Sequence, residues 1–169
     1  MEHSGAGRDL NSSIVTRRIQ AIAQGSEARI LVVGEDALTL AVMSDLLRSR
    51  GFDVRRACDG AQALKLLEQE WFPVIITDWQ MPVMDGLELT RRLRAKGILD
   101  SYVIMLTALE SGSDYESGYE AGVDDYLTKR LPDIELFSRI HAAYRTLSLR
   151  RSRTTQAPRV SRKIAATRS

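Results

Sequence analysis

Five side chains in this 169-residue sequence could do chemistry together: the carboxylates of Glu35, Asp36 and Asp78, the hydroxyl of Thr107 and the ammonium of Lys129. Each follows closely on a short apolar run. Ile30 to Val33 precede Gly34-Glu35-Asp36, Val74 to Thr77 precede Asp78, Tyr102 to Leu106 precede Thr107, and Val123 to Thr128 precede Lys129. Carboxylates gathered at one rim repel one another unless a cation neutralises them. A hard divalent ion held by oxygens, Mg²⁺, is the economical solution. Asp78 is then placed to act as a nucleophile toward a phosphoryl group, giving an acyl phosphate. Lys129 and the ion would balance charge on the phosphoryl oxygens, and Thr107 would hydrogen-bond the phosphoryl group.

These residues meet only if the apolar runs are strands of one sheet. Ile30-Leu31-Val32-Val33 is short, branched and bounded by Gly34, as a buried strand should be. Asp36 can cap a following helix, predicted to turn Leu38, Val42, Leu46 and Leu47 inward and to close at Gly51. Asp53 to Ala57 reads as a weaker strand near an edge, because Arg55 and Arg56 interrupt it. Asp59-Gly60 then turns into a helix carrying Ala63, Leu64 and Leu67, and Pro73 to Thr77 is a second buried strand. Gly86 opens a third helix with Leu87, Leu89 and Leu93 apolar and Arg91, Arg92, Arg94 and Lys96 predicted outward. Tyr102 to Leu106 is a strand, Ser113 to Ala121 a polar helix and Val123 to Thr128 a strand. Pro132 begins a last helix with Ile134, Leu136, Phe137, Ile140 and Tyr144. Five alternations of short buried strand and helix predict an α/β fold: a doubly wound, five-stranded parallel sheet with helices on both faces. Right-handed crossovers leave few topologies, of which the known doubly wound order 2-1-3-4-5 is the natural one, and function gathers at the carboxyl ends of such strands.

The segment Ile76-Thr77-Asp78-Trp79-Gln80-Met81-Pro82-Val83-Met84-Asp85-Gly86 resembles the phosphoacceptor segment of response-regulator receivers in two-component signalling. Thr107-Ala108 lies 29 positions beyond Asp78 and Lys129 another 22, spacings similar to that family's. The resemblance covers about residues 28–148 and implies a flavodoxin-like, CheY-like fold. It implies that Asp78 is the phosphoacceptor and that Lys129 and Thr107 stabilise the phosphoryl group. It also implies Mg²⁺ held by Glu35, Asp78 and the backbone carbonyl of Gln80. Tyr126 matches the family's mobile aromatic, which swings inward when the threonine, here Thr107, engages phosphate; a packed strand aromatic is the alternative.

Two departures bear on the site. The family's acidic pair after the first strand falls on Gly34 and Glu35, so one acid is missing, and weak Mg²⁺ binding is expected. Asp36 stands one place late: capping the first helix is its stronger reading, and ligation after a one-residue shift is the alternative. Family members usually carry Lys-Pro joined by a cis peptide, where this chain has Lys129-Arg130. A trans bond with a rearranged loop, or a strained cis bond, is therefore expected, and either could displace the Lys129 ammonium.

Composition bounds the rest. The chain is 44% apolar and 27% charged, with a single cysteine. That excludes an internal disulfide or a CxxC metal knuckle, and no run approaches the roughly 20 apolar residues of a membrane span. A cytoplasmic setting is expected. The net charge of +2 hides an asymmetry. Residues 28–144 hold 13 Lys/Arg against 19 Asp/Glu, whereas residues 145–169 hold eight basic residues and no acid. Residues 1–27 read as a leader in which Asn11-Ser12-Ser13 could cap a short helix bearing Ile14, Val15, Ile19 and Ile22. Residues 149–169 read as a basic disordered tail, either solubilising or docking electrostatically on an acidic partner. Cys58 is expected to be a small buried hydrophobe, Trp71 and Phe72 packing residues, and His3 and His141 chemically idle. Leu109, beside the expected water path to an acyl phosphate, is expected to slow its hydrolysis.

The functional expectation is a receiver that takes a phosphoryl group from a histidine kinase or phosphotransfer protein onto Asp78. It would signal by a protein contact through its fourth and fifth helices and fifth strand, with Tyr115, Tyr119 and Tyr126, and the last helix could support a homodimer. No base-reading element is seen, so sequence-specific DNA binding is not expected. The rivals are a phosphorylation-independent pseudo-receiver and the receiver portion of a longer regulator. A phosphatase of the haloacid-dehalogenase type would want an acid where Gln80 stands, and no GxxxxGK phosphate loop occurs.

Overall fold

The computed structural model describes residues 28–108, 112–130 and 132–155. The leader helix, Leu109, His3 and the end of the basic tail lie outside the described residues, as does the side chain of Tyr115. Strands and helices alternate as β1 (Arg29–Val33), α1 (Ala37–Ser49), β2 (Asp53–Ala57), α2 (Gly60–Gln69) and β3 (Val74–Asp78). They continue as α3 (Gly86–Ala95), β4 (Tyr102–Thr107), α4 (Gly112–Ala121), β5 (Asp125–Thr128) and α5 (Asp133–Thr155). The sheet is parallel throughout, in the order β2-β1-β3-β4-β5. This is the expected doubly wound fold.

The apolar runs dictate it. All five residues of β3 and all six of β4 are buried, as strands covered on both faces must be. Edge strand β2 buries only Val54 and Ala57 and leaves Arg55 and Arg56 outside. One layer of the core joins Ile30, Val32, Ile76 and Ile104 to Leu40 and Leu47 of α1 and to Phe137, Ile140 and Leu147 of α5. The other joins Leu31, Val33, Ile75 and Val103 to α2 and α3 through Ala63, Leu89 and Leu93.

Several side chains depart from the pattern read in the sequence. Helix α1 carries two apolar stripes, and the one that packs is Leu40, Ser44 and Leu47, flanked by Met43 and Leu46. Leu38 and Val42, expected inward, are 72% and 61% exposed. Ile134 is likewise exposed, because the packing stripe of α5 begins at Leu136. Cys58, expected buried, is exposed where β2 gives way to α2. Arg94, expected to point outward, is largely buried: its guanidinium bonds the carbonyls of Ile98, Ser101 and Gly122 and pairs with Asp124 at 2.7 Å. Turn carbonyls at the amino-terminal end of the sheet need donors, and a five-donor fork supplies them.

Helix α5 also runs on to Thr155, past Leu149, where apolar periodicity stops. Its last turns are held from the side. Arg150 reaches Asp124 at 2.8 Å, and the Arg151 guanidinium lies 4.5 Å from the centre of the Trp71 ring. Pairing of this kind supplies what apolar periodicity does not. Among the described residues, no helix is long and apolar enough to cross a membrane.

Candidate functional site

The five side chains singled out above stand at the carboxyl ends of neighbouring strands. Glu35 and Asp36 follow β1, Asp78 ends β3, Thr107 ends β4 and Lys129 follows β5. The register sets their levels: Asp78 pairs with Leu106, and Thr107 with Thr128. Asp78 and Thr107 are buried, whereas Glu35 is exposed.

Asp78 is the centre of the site. Its Oδ2 lies 3.2 Å from Nζ of Lys129. Burial pushes the carboxyl above its ordinary range; the hydrogen bond and charge of Lys129 oppose the rise, and Glu35 and Asp36 add to it. The Lys129–Arg130 bond is trans, since the described residues contain no cis peptide. Displacement of the ammonium does not follow. The Lys129 amide donates to the carbonyl of Thr107 at 3.3 Å, so the strand edge holds the residue in place without a proline.

Asp36 is committed elsewhere. Its carboxylate accepts from the amides of Leu38 (3.3 Å) and Thr39 (3.0 Å) and from the Thr39 hydroxyl, which caps α1. The Thr39 hydroxyl first, and then those amides, hold its pKa below the usual value. Among the described residues no group of three or more acidic, histidine or cysteine side chains forms a metal nest. Glu35 and Asp78 remain, with the backbone of the loop at Gln80. Mg²⁺ is commonly bound through one or two carboxylates with water and phosphate oxygens completing the octahedron, so this set fits it, though thinly.

Gly34 lies against the Asp78 carboxylate. A Cβ built there would stand 2.9 Å from Oδ2 of Asp78, so the carboxylate already occupies the space that a side chain at position 34 would need. A small pocket lined by Gly34, Asp36, Thr39, Leu40, Met43 and Asp78 opens at this point.

The loop after Asp78 is tied down at several points. Gly86 donates to the carbonyl of Trp79 at 2.8 Å, and a side chain at Gly86 would collide with the Asp78 carbonyl oxygen. Glycine is thus required for α3 to start beside the site, and Asp85 caps that helix through the Glu88 amide at 2.7 Å. Met84 donates to Pro82 at 2.7 Å across Val83, whose φ of 67° is rare for a β-branched residue. Neither the strained turn at Val83 nor the close approach of Gly118 to Tyr126 was read in the sequence.

Beyond the site, Tyr126 pairs in register with Met105, two residues before the Thr107–Thr128 pair. Alternation therefore puts Tyr126 on the face of the sheet that Met105 and Thr107 share. Its ring sits between Trp79 (centroids 6.3 Å apart) and Tyr119 (5.3 Å, edge to face).

The fold and this rim define a receiver domain. The profile described as "Response regulator receiver domain" matches residues 30–141, and the chain belongs to that family. The transcriptional regulatory protein PrrA of Mycobacterium leprae (strain TN) is 41% identical over 120 residues, covering 71% of this chain and 51% of PrrA. Response regulator MprA of Mycobacterium sp. (strain KMS) is 38% identical over 120 residues, with 71% and 52% covered. The chain thus spans about half the length of these relatives. Among solved structures, the Francisella response regulator 1452 receiver domain matches with a TM-score of 0.66 at 35% identity, covering 70% of this chain and 97% of that one. The chemotaxis protein CheY4 of Vibrio cholerae matches with a TM-score of 0.67 at 28% identity, covering 70% and 99%.

Proposed function

We propose that this receiver accepts a phosphoryl group on Asp78 from the phosphohistidine of a histidine kinase or phosphotransfer protein. An Oδ–P bond forms as the N–P bond of the donor breaks, and the imidazole departs with the electron pair of that bond. The observation that carries the reading is the buried Asp78 carboxylate with the Lys129 ammonium 3.2 Å away. Burial makes the site poor in solvent, and there a fixed cation counts for more than in water. Lys129 would follow the charge onto the phosphoryl oxygens, and the Thr107 hydroxyl would donate to one of them. Glu35, Asp78 and the Gln80 carbonyl would hold Mg²⁺, which when bound supplies charge neutralisation on those oxygens.

Output in this reading is a protein contact on the α4-β5-α5 face. Tyr119 is exposed there beside Tyr126, and the face could also pair two copies of the chain. A cytoplasmic location accords with a kinase donor. Gly34 favours a second reading, a pseudo-receiver that keeps the fold and works without phosphate.

Exposure of the whole chain to acetyl phosphate or phosphoramidate with millimolar Mg²⁺ separates the two. The expected result is one phosphoryl adduct by intact mass, absent in Asp78→Ala and absent without Mg²⁺. A folded chain that stays unmodified with these donors and with a cognate kinase would establish the pseudo-receiver.

A further inference from the structure

Gly118 lies in α4, on the turn that faces β5, and is buried. A Cβ built on it would overlap the hydroxyl of Tyr126 outright and stand 2.7 Å from Cζ and 3.3 Å from Cε1 of the same ring. The backbone of Gly118 lies outside the left-handed region, so its conformation does not call for glycine. Glycine in a helix costs about 1 kcal/mol relative to alanine. What the missing methyl makes possible here is a notch in α4 that receives the tip of Tyr126. Trp79 on one side and Tyr119 on the other close the cradle around the ring. Trp79 directly follows Asp78, and its amide bonds the Leu106 carbonyl at 3.0 Å. One wall of the cradle is therefore a backbone neighbour of the phosphoacceptor.

We propose that Gly118 is a positioning residue: by leaving a notch in α4 it fixes where the Tyr126 ring rests, and so whether a change at Asp78 is relayed to the α4-β5 surface. This rests on the reading of Asp78 as phosphoacceptor and Tyr126 as the switch aromatic. The ring is rigid, so a methyl at position 118 cannot be met by bending its end; the whole side chain must rotate out of the cradle. Asp78 and Lys129 do not touch the notch, so phosphoryl acceptance should survive while the relay fails.

Two measurements on the whole chain test it. The first is a stability cycle without phosphate. Gly118→Ala should lower the folding equilibrium constant in the native background and raise it, by about fivefold, in a Tyr126→Ala background, where the helix gains alanine and nothing fills the notch. Stabilisation in both backgrounds would overturn the notch. The second follows the Tyr126 ring by NMR in chain carrying ¹³C-labelled tyrosine, assigned by loss of the signal in Tyr126→Phe. Gly118→Ala should move that resonance before phosphorylation and cut its response to phosphorylation severalfold, with the adduct yield on Asp78 by intact mass unchanged. A full response in Gly118→Ala would overturn the relay. Failure of the native chain to form an adduct would overturn both the phosphoacceptor reading and the relay, while the stability cycle still decides whether the notch exists.

Discussion

Restoring a carboxylate at position 34 should exchange stability for cation affinity. The backbone of Gly34 is outside the left-handed region, so the obstacle to a side chain is the Asp78 carboxylate, 2.9 Å from a built Cβ. In Gly34→Asp the two carboxylates would stand about 4 Å apart, where like charges repel by roughly 4 kcal/mol at an effective dielectric of 20. Solvent at the open side of the pocket and the Lys129 ammonium, 3.2 Å from Oδ2, reduce this to about 1–3 kcal/mol. Gly34→Asn carries the steric cost without the charge. In chelator, urea melts should place Gly34→Asp below Gly34→Asn by that amount. In millimolar Mg²⁺ the order should reverse, with affinity for the ion raised about tenfold or more over the native chain, since a third carboxylate now faces it. If Gly34→Asp melts like Gly34→Asn in chelator and its Mg²⁺ response equals that of the native chain, position 34 does not share the Asp78 site and the argument fails.

Three further outcomes follow from the contacts. Asp78 titrates above the ordinary carboxylate value, chiefly through burial, so the folded chain binds its proton more tightly than the unfolded chain does. Metal-free stability should therefore fall as pH rises through the raised pKa, and Asp78→Asn should lose that slope and be the more stable at neutral pH; equal slopes in pH-dependent melts would refute this. Arg94→Ala would strip the donor from three carbonyls and from Asp124, and it should cost about 3–5 kcal/mol in denaturant melts, with a loss under 1 kcal/mol counting against the network. Ser44 buries a hydroxyl that makes no hydrogen bond among the described residues, so Ser44→Ala should be neutral or stabilising by about 1 kcal/mol, and clear destabilisation would point to an overlooked partner.

The fold was legible because its strands are short, branched and buried on both faces, a signal that local composition carries by itself. Right-handed crossovers then leave few strand orders, among them the observed β2-β1-β3-β4-β5. What was not legible is which of two helical stripes packs. In α1, Leu38 and Val42 are as apolar as Leu40 and Leu47, and only the sheet beneath chooses between them. Arg94 misled for a related reason. Arginine on a polar helix face reads as solvated until the carbonyls of Ile98, Ser101 and Gly122, and the Asp124 carboxylate thirty residues away, are seen to need a donor.

The site divides in the same way. The placement of Asp78, Thr107 and Lys129 at one rim could be read because each ends or follows a strand, where position along the chain fixes position in space. Consequences that depend on how loops close could not. Arg130 in place of proline left open a displaced Lys129, but the constraint that matters is the bond from the Lys129 amide to Thr107, which any residue after Lys129 leaves intact. Asp36 shows the converse: its carboxylate could serve a cation or the helix, and three donors from Leu38 and Thr39 decide for the helix. With Asp36 withdrawn and Gly34 bare, Glu35 and Asp78 are the acids left at the rim. Glycine at position 34 also spares Asp78 a repulsive neighbour there, with the Lys129 ammonium 3.2 Å from the carboxylate. In the proposed reading Gly34 shifts charge balance from a divalent ion toward the lysine, so loss of Lys129 should lower the adduct yield on Asp78, read by intact mass, more in the native chain than in Gly34→Asp.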